Sequence, residues 1–169
     1  MKTLEQIFAD LDQVPQAGVI SGVVCQDAEV EDGMLVTAEE ALRFMRAGNA
    51  TVTIRSKKTQ TRFTFKVRKS KDGAVFFISL MNGPDNESAF TYMGYIRGGI
   101  YFHGGRKARV GQDAPSNKAF AWTWRALSQN TMPATVEIWH EGRCGMCNRK
   151  LTVPSSIRSG IGPDCATRM

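Results

Sequence analysis

A chain of 169 residues, 42% of them hydrophobic, is long enough for one ordinary packed domain or for a core domain with a small metal-stapled module. No run approaches 18 apolar residues, and the opening MKTLEQIFADL gains Glu5 and Asp10 with no apolar stretch behind it; the expectation is a cytoplasmic protein with neither a membrane span nor a signal peptide. The net charge of +6 divides unevenly, with three basic and nine acidic side chains in residues 1–49 against nineteen and seven in residues 50–169, so an acidic leader precedes a basic body that attracts polyanions, nucleic acid first among them.

Thr3 and Gln6 form a capping box ahead of Leu4, Ile7, Phe8 and Leu11, whose spacing predicts a short helix over 4–11. From Asp12 to Met34 the chain mixes Gly, Pro and acids with weak Val-rich patches, and residues 1–36 together read as an acidic helix-and-linker arm. A second capping box, Thr37 and Glu40, opens a helix carrying Ala41, Leu42, Phe44 and Met45, which Gly48 and Asn49 stop. The period then changes. Val52 and Ile54 alternate with Thr51, Thr53 and Arg55; after the turn KKTQ, Phe63, Phe65 and Val67 alternate with Arg62, Thr64, Lys66 and Arg68, a hairpin with one apolar and one basic face. AVFFISLM (74–81) is apolar on both faces and reads as a central strand, and FTYMGYI and IYFH as two more, broken at Gly98 and Gly99. Beyond the glycine-rich basic loop GGRKARVGQDAP, Ser116 is expected to cap a helix whose Phe120, Trp124 and Leu127 pack on the sheet; TVEIW is a last short strand. The fold class is therefore α+β: an antiparallel sheet of four to five strands packed with one or two helices over 37–135, then a small zinc knuckle, treble-clef or zinc-ribbon-like, over 136–169.

That last segment carries the most specific chemistry, His140-x3-Cys144-x2-Cys147-x17-Cys165. Two thiolates two residues apart can bind one metal from a single turn, and a distant third closes a loop around it, as a tetrahedral structural Zn2+ site requires. Asn148, just past the second thiol, tolerates the left-handed conformation of such knuckles, and Gly162 and Pro163 bend the chain to bring Cys165 back. His140 is the first choice for the fourth ligand, with Asp164, Cys25, His103, a water or a partner's side chain as the others. A Cys144–Cys147 disulfide and an iron–sulfur cluster are the competing uses of these cysteines; the first lacks a thioredoxin-type setting and the second is a ligand short. Pro154 and Ser155 can open one helical turn that Gly160 ends, and Leu151, Val153, Ile157 and Ile161 can form a small apolar cluster beside the metal, a core separate from that of the sheet.

From Thr37 onward the chain resembles a group of small phage and bacterial proteins, through TAEEALRFMRAGNATVT, FISLMNGPDNES, DAPSNKAFAWTWRAL and, most specifically, WHEGRCGMCNRKLTVPSSIRSGIGPDCA. The resemblance implies a zinc-binding protein of the bacterial cytoplasm, the host's if phage-encoded, and carries no catalytic residues with it.

Three function classes follow. Arg55, Lys57, Lys58, Arg62, Lys66 and Arg68 crowd one hairpin, Arg106 and Lys107 sit in the glycine-rich loop, and Arg149 and Lys150 flank the knuckle, which favours nucleic-acid binding through a basic sheet face. The alternative is a protein-interaction factor, an adaptor or inhibitor of a host or defence system in which the zinc is purely structural. An enzyme is disfavoured: His140 and Glu141 are adjacent and precede the CxxC without proline, unlike a zinc deaminase, and no phosphate-binding loop is present.

Overall fold

The computed structural model describes residues 32–84 and 88–169. The helix expected over 4–11 and the arm up to residue 31 lie outside the described residues. Beyond β1 (Met34–Leu35), Thr37 Oγ1 accepts the Glu40 N–H at 3.2 Å while Glu40 Oε2 accepts the Thr37 N–H at 3.0 Å, closing the capping box at the head of α1 (Ala38–Met45). Strands β2 (Asn49–Ser56), β3 (Arg62–Lys69), β4 (Val75–Met81), β5 (Phe90–Arg97) and β6 (Ile100–His103) follow as an antiparallel meander. Helix α2 (Pro115–Ser128) then crosses back, and β7 (Val136–His140) pairs with β2 on the side away from β3, with β1 outside it. The final segment holds two short helices, α3 (Pro154–Ser159) and α4 (Pro163–Ala166).

The sheet thus has seven strands in the order β1-β7-β2-β3-β4-β5-β6, larger than the four to five expected. Two additions make the difference. TVEIW joins the main sheet rather than merely leading to the knuckle, and Met34–Leu35, inside what reads as a linker arm, pairs with Trp139 and Ile138. Two residues give no periodicity to read, and their partner lies about a hundred positions along the chain.

Register then decides the faces. Ala50, Val52 and Ile54 stand opposite Val67, Phe65 and Phe63, and Val67 stands opposite Ile78, so one face is continuously apolar. Both helices cover it. Phe120 of α2 meets Phe65 and Tyr101 at ring-centroid distances of 5.0 Å each, and Trp124 donates its Nε1–H to Gly99 O at 2.9 Å. Ser116 does not cap α2; proline, with φ preset and no N–H to satisfy, takes the first helical position behind Ala114, and Ser116 is buried in the first turn.

One apolar core runs through all of this and into the cysteine segment, since Leu151, Ile161, Cys144 and Cys165 are buried in the same cluster as Phe44, Val52 and Phe65. The sheet crosses both boundaries read from the sequence, with β1 before residue 37 and β7 after residue 135, and the separate core expected for the knuckle is absent among the described residues. Val153 stays out of that core at 51% exposure. Among the described residues no helix is long and apolar enough to cross a membrane.

Candidate metal centre and basic sheet face

β7 ends at His140, and the chain turns at Gly142 into a tight hairpin in which Arg143 bridges Lys150. Cys144 N–H donates to Arg149 O at 2.8 Å and Asn148 N–H to Cys144 O at 2.9 Å, with Asn148 left-handed at φ 62°, the conformation its short polar side chain tolerates. The hairpin docks through two glycines. A Cβ on Gly145 would lie 2.9 Å from Phe44 Cε2, and one on Gly160, itself at φ +69° as the residue ending α3, would overlap Phe44 Cδ2. Gly145 N–H donates to Gly160 O at 3.0 Å, and Asn49 N–H donates to Gly145 O at 2.6 Å, tying the knuckle to α3 and to the start of β2.

This scaffold brings Cys144, Cys147 and Cys165 together, with their three sulfurs within 4.8 Å of one another. A tetrahedral ion with Zn–S bonds of about 2.3 Å would set roughly 3.8 Å between sulfurs, so the triad fits a metal with little adjustment. All three are free thiols. Burial opposes ionisation of Cys144, but N–H groups of Cys147, Gly162 and Met146 and the Cys147 thiol outweigh it and bring it down to about 7; the Gly162 donor lies 3.4 Å from Sγ. Burial, then hydrogen bonding with the Cys147 and Cys144 thiols and their charge, pushes Cys165 up to about 11. A thiol drawn toward ionisation beside one that burial and its neighbours hold protonated is the electrostatic situation that a bound cation resolves.

His140 is not brought to the sulfurs. It stands opposite Val52 on the apolar face, its ring 5.1 Å from that of Phe44, with Nε2 2.6 Å from Ile157 O and Nδ1 accepting the Gly142 N–H at 3.0 Å. Burial lowers its pKa, the Ile157 carbonyl opposing, so the ring is neutral and latches α3 to β7. His103 is likewise engaged, with Nε2 2.8 Å from Val110 O and Nδ1 accepting from Gly105 N–H, on β6 at the far edge of the sheet. Cys25 lies outside the described residues. Asp164 lines, with Arg149, Lys150, Thr152 and Arg168, a groove of ≈ 230 Å³ onto which the triad opens and from which Cys147 is exposed, but its carboxylate does not join the three sulfurs.

The basic residues fall into four groups. Arg55, Arg62, Lys66 and Arg68 share the sheet face turned away from the helices, with Arg55 Nε 3.0 Å from Glu137 Oε2 on β7. Lys57 and Lys58 lie on the β2–β3 turn, and Arg106 and Lys107 on the single 3-10 turn Gly105–Lys107, next to Tyr92 through Gly104. Arg149 and Lys150 stand with the cysteines instead. Missing from the sequence reading are the aromatic side chains on that same face and the docking role of Phe44. Spacing signals neither, because one depends on a strand irregularity and the other on a contact about a hundred residues distant.

Residues 139–169 match the model of a family of unknown function (DUF6011). Curated proteins and solved structures give no match to the chain. The matched span holds all three cysteines together with the His140 latch, so the similarity covers the candidate metal centre and not the sheet that carries the basic face.

Proposed function

We propose that the chain is a non-enzymatic nucleic-acid-binding protein whose C-terminal module is held by one structural Zn2+. Cys144, Cys147 and Cys165 would hold the ion, which would supply a cross-link between the knuckle and α4; a three-thiolate set favours zinc over harder cations. The fourth position belongs to Asp164, to water or to a partner's group from the groove.

The single observation that carries the nucleic-acid reading is the β2–β3 register, which sets Arg55, Arg62, Lys66 and Arg68 on the face opposite the core. Convergent cations on one surface are what phosphate neutralisation needs, and their counterion release makes binding fall steeply with salt. Charge reversal of Arg62, Lys66 and Arg68 to Glu is expected to abolish retention on a nucleic-acid column, while thermal stability shifts by less than about 1 kcal/mol, because Arg62 and Arg68 are exposed and Lys66 is only half-buried. Unchanged retention would move the reading to a protein-interaction factor. The exposure of Ile100 at the start of β6 favours that second reading, and its mark would be a stoichiometric complex that survives high salt.

A further inference from the structure

We infer that the sheet face turned away from the helices is a platform for single-stranded nucleic acid, with bases stacking on its aromatic rings and phosphates held by Lys66 and Arg68; this rests on the nucleic-acid reading above and narrows its ligand. The observation is a row of aromatic side chains where a solvated sheet face would carry small polar ones. Arg68 stands opposite Phe77, Phe77 opposite Tyr95, and Tyr95 opposite Phe102, four residues in line across β3, β4, β5 and β6. Neighbouring strands are about 4.8 Å apart, so the three aromatic positions lie side by side in one row with Arg68. The next row is Lys66, Ser79 and Tyr92, and Lys66 Nζ lies 4.9 Å from the centre of the Phe90 ring.

A β-bulge builds this surface. Tyr92 and Tyr95 are three positions apart, which would place them on opposite faces of a regular strand. The register shift between Ile78 and Ser79 sets Tyr92 opposite Ser79 and Tyr95 opposite Phe77, so both tyrosines face the same way while Met93 and Ile96 go into the core. Tyr95 and Phe102 stack at 5.4 Å and 23°, and Phe77 meets Tyr92 edge-on at 6.4 Å. Phe77 and Phe102 nonetheless remain 45% and 43% exposed, with ring faces left for a ligand.

Charge decides what that ligand is. Among the described residues, Glu137 is already paired with Arg55 and Glu141 is a further acidic neighbour, near Lys66 and Arg143; Lys66 lies over the Phe90 ring and Arg68 stands opposite Phe77. Aromatic faces interleaved with cations match unpaired bases on a phosphate chain, because every base offers a π-face and no sequence is needed. A duplex keeps its bases stacked inside and could use only the cations.

The test is a titration of the zinc-loaded full chain with a fluorescent oligo-dT strand and with a duplex of equal length, at one salt concentration. The single strand is expected to bind at least about tenfold more tightly. Phe77→Leu with Phe102→Leu keeps the apolar area and the fold but removes the rings; it should weaken oligo-dT about a hundredfold and leave duplex binding within about twofold. Equal binding of strand and duplex, or wild-type affinity of the Leu variant for oligo-dT, overturns the inference. If the Arg62, Lys66 and Arg68 reversals still abolish that binding, the broader nucleic-acid reading stands without it. Failure of the wild-type chain to bind either probe overturns both and leaves the face to a protein partner.

Discussion

Residues 142–165 take their shape from turn hydrogen bonds, left-handed Asn148 and Gly160 and three converging thiols, whereas residues 49–103 take theirs from apolar side chains paired strand against strand. The first region stores its structure in a handful of chemically special positions, the second in many ordinary ones. They meet at Phe44, which lies against Gly145, Gly160 and His140 on one side and belongs to the sheet's core cluster. Two short helices and a hairpin cannot bury enough surface to be stable alone, so the cysteine segment borrows its core from the sheet and, in the proposed reading, would take its closure from an ion.

If that is right, loss of the metal should be felt far from it. Replacing Cys147 by Ser, or chelation, removes part of a binding energy of about 10–16 kcal/mol in small zinc modules. Calorimetry should show one transition lowered by about 10 °C or more, a shift of at least ~4 kcal/mol. A separate low-temperature transition with the sheet's own melting unchanged would restore the independent knuckle that the sequence suggests. The junction itself comes next. Phe44→Ala should cost about 3–5 kcal/mol, and Gly160→Ala about 1–3 kcal/mol through its φ and its overlap with the ring, and both should speed zinc transfer to a chromogenic chelator. Stability loss without faster zinc transfer would show that Phe44 serves the sheet alone.

The smallest effect concerns His140. Burial holds its pKa below the ordinary value, so as pH falls through about 6.5 the unfolded chain takes up a proton that the folded chain refuses. Stability should fall with decreasing pH by up to about 1.4 kcal/mol per unit until the folded ring titrates, and His140→Gln should flatten that slope relative to wild type. Identical slopes would mean that His140 is free to protonate in the folded chain, in conflict with its latch to Ile157 O.

Local chemistry was legible and long-range assembly was not. Thr37 with Glu40, Asn148, and Pro154 through Gly160 each declare their backbone by residue type, and the structure has each as read. The alternation of Phe63, Phe65 and Val67 with Arg62, Lys66 and Arg68 likewise sorts into core and open faces. Where the outcome rests on a partner elsewhere in the chain, pattern is silent. Met34–Leu35 is a strand only because β7 lies beside it, Tyr92 joins Tyr95 only because the strand bulges, and His140 turns toward Phe44 rather than the thiols because its register opposite Val52 points it into the core.

X-ray absorption at the zinc edge of the purified protein, compared with its His140→Gln variant, tests a zinc ion on Cys144, Cys147 and Cys165 without His140. One zinc per chain is expected, with three sulfurs at about 2.3 Å and one oxygen or nitrogen, unchanged by the substitution. Absence of zinc, or an imidazole shell that disappears with His140, would contradict it.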